Sequence, residues 1–283
     1  MAEILRGKPV AEQLIFRLQE RTARLKEAGI VPTAAIIRFG SNSDDLAYER
    51  SIIRNAEKIG AEMVVFELDA EAQQKEAEDL ITKLSCDASV HGILVFKPLP
   101  AIIDEKRLMQ LLAPDKDIDG ATEMSMAALY SGNGKYHIPC TAKACLEILR
   151  YYGINCSGKK AAVLGRSSVI GKPAAMLLIQ EDATVTVCHS KTMDAAAVCR
   201  EAEIVIACAG KAEMVDKDYM NKDQVLIDVG INFDETGKML GDVKYSDAER
   251  FVRAVTPVPG GVGAVTVAVL LDNLVTAAEN NRK

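Results

Sequence analysis

Short apolar runs alternate with stretches of helical periodicity along the whole chain, which is typical of parallel sheets joined by crossover helices. In the first half the pattern predicts helices at Pro9–Ala28, Asp44–Ile59 and Glu71–Leu84, and strands at Ala34–Phe39, Met63–Leu68 and Gly92–Phe96. The last of these strands runs into Pro98 and Pro100. Proline removes a backbone donor, so we expect the chain to leave the sheet there.

The second half repeats the alternation after a loop-like stretch around residues 131–136. Thr141 is the expected N-cap of the helix that follows. Strands are then predicted at Ala161–Leu164, Thr184–Cys188 and Ile204–Ala207, with two more ending near Asp228 and Val255, and helices at Lys172–Gln180, Met193–Glu201 and Val265–Glu279. We therefore predict an α/β protein with two domains, the second a Rossmann-like, doubly wound parallel sheet that begins near residue 139.

Composition narrows the class of protein. The 283 residues carry a net charge of -6, and lysines and arginines are scattered, which argues against nucleic acid or a membrane as partner. No apolar stretch approaches the roughly 20 residues that span a bilayer, and the N-terminus lacks the features of a signal peptide. The odd number of cysteines, 7, without a Cys-x-x-Cys pair indicates reduced thiols of a cytoplasmic protein. The three histidines are isolated along the chain, so the sequence predicts no metal site.

A strand, a glycine turn and a helix N-terminus follow one another at Lys160–Lys172. Free backbone N–H groups and the helix dipole would face an anion there, although the spacing differs from G-x-G-x-x-G and also fits an ordinary corner. Ligands of an open parallel sheet lie across the carboxyl ends of its strands. The predicted cofactor-binding residues at those ends are Gly165, Arg166, Ser167, Ser190, Gly210 and Ile231.

The end of the second strand of this domain bears on the choice of cofactor. Enzymes that prefer NAD usually carry an Asp or Glu there for the ribose hydroxyls, whereas this chain has His189–Thr192. Arg166, Ser190 and Lys191 suit the additional phosphate of NADP, because charged donors bind phosphate strongly. The sequence therefore favours NADP over NAD, with a surface role for Arg166 as the alternative.

Several segments together resemble the FolD-type methylenetetrahydrofolate dehydrogenase/cyclohydrolase family. They occur in the family's order and span nearly the whole chain: Gly92–Val95 before Pro98–Pro100, Asp115–Gly120, Pro139–Thr141, Gly165–Ser167, His189–Thr192, Asp228–Asn232 and Thr256–Gly263. The resemblance implies a homodimer, with a folate cleft between a catalytic domain and a nucleotide domain. It also implies that the final helix returns to the first domain, so that residues 1–138 plus 266–283 bind folate and residues 139–265 bind NAD(P).

In this family a Tyr and a Lys one helical turn apart line the folate cleft, with a Gln on the facing strand end. Tyr48 matches the Tyr, but the Lys and Gln positions hold Ile52 and Phe96. These two side chains can neither transfer a proton nor hold a water by a hydrogen bond. A core role for Tyr48, and a misalignment by one residue, are the alternatives. Arg50 and Arg54 point off the Tyr48 face, whereas Lys97 follows Phe96 and is a candidate substitute for the missing Lys.

Asp119 matches the family's acidic folate contact, where a carboxylate accepts paired hydrogen bonds from the pterin edge. A turn-forming role in its Asp- and Gly-rich loop is the alternative. Pro259, Gly260 and Gly261 are predicted to bind substrate, since glycine allows close backbone approach. The Ala264-Val265 pair departs from the family's Pro-Met at this rim.

The two reactions of the family have different needs. Hydride transfer from 5,10-methylenetetrahydrofolate mostly requires positioning, for which we expect Tyr48, Asp119 and the glycine loops to suffice. Hydrolysis of the methenyl product needs an activated water and groups that transfer protons. The sequence therefore predicts an NAD(P)-dependent dehydrogenase of one-carbon metabolism whose cyclohydrolase activity is weak or lost. The alternatives are a bifunctional enzyme that uses Lys97, a non-catalytic paralogue that binds folate and nucleotide, and a dehydrogenase for another small substrate.

Overall fold

The computed structural model describes residues 1–134 and 136–281. Its strands are β1 Glu3–Ile4, β2 Thr33–Phe39, β3 Glu62–Leu68, β4 Gly92–Val95, β5 Lys160–Leu164, β6 Thr184–Cys188, β7 Ile204–Ala207, β8 Val225–Asp228, β9 Asn232–Phe233, β10 Met239–Leu240 and β11 Ala254–Val255. Its helices are α1 Gly7–Glu27, α2 Ser43–Ile59, α3 Gln74–Cys86, α4 Glu105–Leu111, α5 Glu123–Ser131, α6 Cys140–Tyr151, α7 Gly171–Gln180, α8 Ala195–Glu201, α9 Tyr245–Phe251 and α10 Thr266–Asn280. Within the described residues, none of these helices combines the length and the apolar character that crossing a membrane requires.

The chain divides into two compact units. Met1–Glu12 and Pro139–Thr266 form what we call the large-sheet unit, and Gln13–Ile138 and Val267–Lys283 form the small-sheet unit. The predicted division places residues 1–12 in the other domain, which is wrong, because β1 pairs in parallel with β11 of the large sheet. Residues 135, 282 and 283 of the predicted folate-binding domain lie outside the described residues.

The large sheet is parallel throughout, in the order β1-β11-β8-β7-β5-β6. The strands β5, β7 and β8 are apolar runs buried along nearly their whole length, as expected for strands covered on both faces. When β5, β6, β7, β8 and β11 are numbered 1 to 5 in chain order, their order in the sheet is 2-1-3-4-5, as in doubly wound folds. Strand β1 is added beyond β11. The order reverses between β5 and β7, and ligands of such folds bind at the carboxyl ends of strands at that point.

The small sheet has the order β3-β2-β4 and is also parallel. The central strand β2 is buried over Ala34–Arg38. Helix α2, which follows β2, begins after Asn42, whose side chain accepts a hydrogen bond from the Asp44 amide at 3.0 Å. It ends at Gly60, whose φ of 74° is the left-handed conformation that glycine adopts without a steric penalty. Strand β2 and helix α2 thus hold Tyr48 in a well-defined position.

The α/β, two-domain fold class is confirmed, and local differences have identifiable causes. Helix α6 starts at Cys140 with Pro139 at its N-cap, so Thr141 lies inside the helix and is not its cap. Helix α8 starts at Ala195, because the Asp194 side chain accepts a hydrogen bond from the Ala197 amide and caps it. The pattern missed two-residue strands and short helices, which contain too few residues to show a period: β1, β9, β10, α4, α5 and α9.

Candidate active site

A glycine-dependent corner joins β5 to α7 in the large-sheet unit. Gly165 has a φ of 139°, and a Cβ placed on it would lie 2.3 Å from the Cys208 carbonyl oxygen. A Cβ on Gly171 would lie 2.3 Å from the Gly165 carbonyl oxygen. The turn after β5 therefore packs backbone to backbone against the turn after β7 and against the first turn of α7. Only glycine fits at these two positions, and the corner forms a close backbone cradle.

The amide groups at the start of α7 already have protein partners. The Ser167 hydroxyl accepts hydrogen bonds from the Ile170 amide at 3.1 Å and the Gly171 amide at 3.4 Å. The Lys172 amide donates to the Ser167 carbonyl oxygen at 3.0 Å. The expectation that free N–H groups of this helix terminus face a ligand is therefore wrong for these three amides. Ser167 stabilises the turn from within.

A cavity of about 770 Å³ lies at the carboxyl ends of β5, β6 and β7, where the strand order reverses. Such a volume falls in the range of small-molecule and cofactor sites. Its lining comprises Leu164, Gly165, Arg166, Ser167, His189, Ser190, Thr192, Asp194, Ala195, Ala196, Cys208, Ala209, Lys211, Met214 and Tyr219.

The structure brings most of the predicted cofactor residues to this cavity. Gly165, Arg166, Ser167 and Ser190 line it, and Gly210 lies between the lining residues Ala209 and Lys211. Ile231 is described but is not among the lining residues, and 63% of it is exposed. We call the cavity and its lining residues the nucleotide pocket.

The charges of the nucleotide pocket differ in part from those expected. Lys191 is exposed and does not line the pocket, whereas Lys211 does. A carboxylate, Asp194, also reaches the lining, but it accepts a hydrogen bond from the Ala197 amide at 3.0 Å as the cap of α8. The lining therefore offers two cations, Arg166 and Lys211, and a carboxylate already engaged by backbone.

Cys208 is a thiol in the pocket wall. Burial raises its pKa to about 12, and the nearby charge of Asp242 acts in the same direction. A thiol with this pKa stays protonated at neutral pH and is a poor nucleophile. Its role is to pack the wall against Gly165.

In the small-sheet unit, Tyr48 and Phe96 are neighbours. Their ring centroids lie 5.5 Å apart at an interplanar angle of 39°, which is a favourable aromatic contact. Tyr48 is 40% exposed and Phe96 6%. Ile52, one turn further along α2, is 0% exposed. The two positions that hold Lys and Gln in the resembled family are therefore filled by buried apolar side chains.

Lys97 follows Phe96 but is already paired. Its Nζ lies 2.6 Å from Glu105 Oε1 at the start of α4, with 32% and 52% of the two side chains exposed. Arg38 makes a more buried pair, with Nε 2.7 Å from Glu49 Oε2 and both side chains largely buried. Arg38 lies on β2 and Glu49 on α2, so this second pair holds α2 on the small sheet next to Tyr48.

The loop that carries Asp119 is held from both sides. Asp117, 1% exposed, accepts hydrogen bonds from the Ala121 amide at 3.1 Å, the Thr122 amide at 2.8 Å and the Ser125 hydroxyl at 2.7 Å. On the other side, the Asn273 side-chain amide donates to the Ile118 carbonyl oxygen at 2.8 Å. Asp117 thus forms turn hydrogen bonds in this loop, two residues before Asp119, which is half-buried.

The predicted substrate residues Pro259, Gly260 and Gly261 belong to the large-sheet unit, and Tyr48, Lys97 and Asp119 to the small-sheet unit. Gly260 has a φ of 99°. Its carbonyl oxygen accepts a hydrogen bond from the Gly7 amide at 2.8 Å. The run is therefore a tightly folded, glycine-dependent segment anchored at the start of α1.

Two family models match the chain. The tetrahydrofolate dehydrogenase/cyclohydrolase catalytic domain matches residues 5–119, and the NAD(P)-binding domain of the same family matches residues 139–282. This chain belongs to that family. The resemblance found in the sequence is thereby confirmed. The bifunctional protein FolD of Carboxydothermus hydrogenoformans is 46% identical over 281 residues, covering 99% of this chain and 98% of that protein.

Solved structures of the tetrahydrofolate dehydrogenase/cyclohydrolase family agree. The bifunctional FolD enzyme of Campylobacter jejuni superposes with a TM-score of 0.96 at 35% identity, covering 99% of each chain. The methylenetetrahydrofolate dehydrogenase-cyclohydrolase of Trypanosoma brucei, complexed with NADP cofactor and inhibitor, superposes with a TM-score of 0.92 at 34% identity, covering 99% of this chain and 98% of the other. Residues 139–266 of the large-sheet unit thus lie within the part of the chain that matches the NAD(P)-binding domain of this family.

Sequence reasoning missed part of the pocket of this family member. Lys211 directly follows the turn glycine Gly210, so extending the motif by one residue after β7 would have found it. Asp194 and Tyr219 line the pocket from the cap of α8 and from a 3₁₀ turn, and no local pattern marks them. They come to the pocket through the packing of segments that are not neighbours in sequence.

Proposed function

We propose that this protein oxidises 5,10-methylenetetrahydrofolate to 5,10-methenyltetrahydrofolate in an NAD(P)-dependent reaction of one-carbon metabolism. The observation that carries the proposal is the nucleotide pocket of about 770 Å³ at the point where the strand order reverses. It lies in a chain whose two halves match the catalytic and NAD(P)-binding domains of one family.

The pocket suits a dinucleotide. Gly165 lets the turns after β5 and β7 pack backbone to backbone, which brings the carboxyl ends of these strands together at the pocket. We assign cofactor binding to Gly165, Arg166, Ser167, Ser190 and Gly210 at the pocket, and to Ile231, outside the pocket lining, on the sequence prediction alone. Bound NAD(P) supplies the acceptor of the hydride. The protein contributes binding and orientation.

For the folate, we assign roles to Tyr48 and Asp119 in the small-sheet unit and to Pro259, Gly260 and Gly261 in the large-sheet unit. The Tyr48 ring, supported by Phe96, offers a partly exposed aromatic face for stacking on the substrate. The Asp119 carboxylate accepts paired hydrogen bonds from the pterin amino and ring N–H groups. Contacts of these kinds position a substrate without a protein base, and positioning supplies the rate.

NADP is the proposed cofactor over NAD. Arg166 and Lys211 provide two cations at the pocket, which suits the additional phosphate of NADP. The Asp194 carboxylate is engaged as a helix cap, so it competes weakly for ribose hydroxyls. Calorimetric titration with NADP and with NAD tests this choice. Tighter binding of NADP supports it, and equal or tighter binding of NAD contradicts it.

Cyclohydrolase activity is the second candidate function. Relatives that are 41–46% identical over nearly their full length carry the name bifunctional protein FolD, which favours an enzyme with both activities over the predicted loss. The buried Ile52 and Phe96 and the ion-paired Lys97 are the observations on the other side. Hydrolysis needs a group that moves protons, and its removal typically slows the step about 10²- to 10⁴-fold.

One experiment tests both activities: turnover of methylenetetrahydrofolate with NADP or NAD, with methenyl and formyl products resolved where spontaneous hydrolysis is slow. Accumulating methenyl product together with reduced cofactor supports a monofunctional dehydrogenase. Formyl product formed as fast as reduced cofactor supports the bifunctional enzyme and contradicts the predicted loss. Binding of both ligands without turnover supports a non-catalytic paralogue and contradicts the proposed function.

We also propose that the protein is a cytoplasmic homodimer, as the resemblance implies. Seven free cysteines fit a reducing compartment. Light scattering of the purified protein should give a mass near twice the 30.6 kDa of one chain. A mass near 30.6 kDa at micromolar concentration would contradict the dimer.

A further inference from the structure

Three consecutive backbone amides after β7 converge on one buried carboxylate. Asp242 Oδ2 accepts hydrogen bonds from the Ala209 amide at 2.6 Å and the Gly210 amide at 2.9 Å, and Asp242 Oδ1 accepts from the Lys211 amide at 2.9 Å. Asp242 is 0% exposed. Successive N–H groups in a turn form a concavity that binds anions. Here the chain fills that concavity with its own side chain, from 31–33 residues away.

A second buried carboxylate holds the first in place. Asp228 Oδ1 accepts a hydrogen bond from the Asp242 amide at 3.0 Å, and Asp228 Oδ2 accepts from the Val243 amide at 3.0 Å. The Asp228 amide itself donates to the Thr256 hydroxyl at 2.7 Å. A Cβ on Gly241 would lie 1.8 Å from Asp228 Oδ2, so the backbone passes this carboxylate as closely as it can. The result is a chain of contacts from β8 through Asp228 and Asp242 to the 209–211 turn.

The 209–211 turn is part of the nucleotide pocket. Ala209 and Lys211 line the cavity, and so does Cys208, whose carbonyl oxygen packs against Gly165. A shift of the turn would therefore move the pocket wall and the Lys211 side chain together. The Asp242 carboxylate also occupies the three amides of the turn, so these amides do not donate to a phosphate, and the Lys211 side chain is the donor that the turn offers to the pocket.

We propose that Asp242, held by Asp228, is a positioning residue for the nicotinamide nucleotide: it fixes the 209–211 wall and directs the phosphates toward Arg166 and Lys211. This inference rests on the proposed function. Asp242 acts through the turn, since its oxygens are occupied by the amides at 209–211 and by the Asn232 side-chain amide at 3.0 Å.

The test compares Asp242→Asn with the wild-type protein. An amide in place of the carboxylate turns one acceptor into a donor that faces backbone N–H groups, so the turn opens. We expect the Kd for NADP, measured by calorimetry, to rise about 10- to 100-fold, in line with the loss of charge-assisted hydrogen bonds. The KM for NADP should rise in parallel, whereas kcat at saturating NADP and the KM for folate stay within about 3-fold. In protein without nucleotide, amide hydrogen exchange at 209–211 should accelerate at least about 10-fold.

Asp234→Asn is the matched control. Asp234 accepts hydrogen bonds from the Thr236 and Lys238 amides, at 2.9 and 3.0 Å, in an exposed loop between β9 and β10. The same chemical change there should leave the Kd for NADP unchanged. Should Asp242→Asn fail to fold, Asn232→Ala removes one donor to Asp242 and should give an intermediate rise in Kd.

The outcomes separate this inference from the proposed function. Faster exchange at 209–211 with an unchanged Kd for NADP would make Asp242 a purely structural residue and overturn the inference alone. An unchanged Kd in Asn232→Ala, where Asp242→Asn does not fold, would overturn it too. A wild-type protein that binds neither NADP nor NAD would overturn the proposed function, and the inference with it.

Discussion

The two units build their sites in different ways. The nucleotide pocket is made largely from backbone: turns at strand ends, glycines that admit no Cβ, and a buried carboxylate that binds three consecutive amides. The site of the small-sheet unit is made from side chains, with Tyr48 and Phe96 in contact and Ile52 buried beside them. A site of the first kind changes only when the fold changes. A site of the second kind can lose one reaction through one or two substitutions while the fold stays intact.

The largest change should come from returning proton-carrying side chains to the small-sheet unit. If the activity has been lost through these two positions, Ile52→Lys with Phe96→Gln should raise the rate of methenyl hydrolysis about 10²-fold or more, because a general acid–base group contributes that much. Ile52 is 0% exposed, so the lysine will lower stability. Phe96→Gln alone is the milder companion variant. A wild-type rate of formyl formation already matching hydride transfer would contradict the loss and leave these variants little to restore.

The glycine cradle should tolerate substitution poorly. Gly165→Ala places a Cβ 2.3 Å from the Cys208 carbonyl oxygen at a φ of 139°, so the β5 and β7 turns must separate. We expect the Kd for NADP to rise at least about 100-fold, with a loss of about 1–3 kcal/mol in the free energy of unfolding. Gly237→Ala is the control, because Gly237 has a φ of 79° but no atom within 4 Å of the added Cβ. Similar losses of binding in both variants would show that strain, and not space, matters.

Stability should depend on pH through Asp228. Burial raises its pKa from 3.8 to about 6, against the lowering effect of three backbone hydrogen bonds. Between these values the unfolded chain is ionised while the folded protein holds the proton, so stability falls as pH rises. The total change is about 3 kcal/mol. Urea unfolding from pH 4 to pH 7 should show this component in the wild type and lack it in Asp228→Asn. Parallel curves for the two proteins would contradict the raised pKa.

Asp119→Asn tests whether one side chain of the small-sheet unit affects folate binding without affecting nucleotide binding. A neutral amide cannot accept both hydrogen bonds of the pterin edge, so the KM for folate should rise about 10- to 100-fold while the Kd for NADP stays constant. Asp115→Asn, in the same loop and exposed, serves as the control. An unchanged KM in Asp119→Asn would remove Asp119 from the folate site.

The smallest effect on stability is expected at Lys97. Its pair with Glu105 is partly exposed, so Lys97→Met should lower the free energy of unfolding by less than about 1 kcal/mol. Hydride transfer should be unchanged. A fall in formyl formation alone would assign hydrolysis to Lys97. Lys106→Met is the control, since Lys106 pairs with Glu123 at 3.6 Å with both side chains mostly exposed.

The strands were the part of the fold most predictable from sequence. Runs such as Ile204–Ala207 are apolar throughout because both faces of the strand are covered, and such runs stand out locally. The two-residue strand β1 has no period at all, and it forms because Glu3 and Ile4 meet Ala254 and Val255, some 250 residues away along the chain. Tertiary pairing of this kind leaves no local signal.

The site shows the same limit. Gly165, Arg166, Ser167 and Ser190 follow predictable strands, so the position of the strand end is enough to place them at the pocket. In the sequence, Asp242 lies between Gly241 and Val243, and no local pattern marks it as part of the site. Its partners lie 31–33 residues earlier, and only the folded chain brings them within hydrogen-bonding distance.

The interleaving of the two units along the chain has a consequence for synthesis. The small-sheet unit needs residues from 267 onward, and Leu270, Leu271 and Leu274 of α10 are fully buried. These residues leave the ribosome after residues 13–138, since the chain emerges N-terminus first. The core made by residues 13–138 therefore stays incomplete until α10 has been synthesised, while β1 pairs only after β11 has emerged. A message terminated before residue 266 would yield neither unit complete, and no single cut divides the gene into two self-sufficient halves.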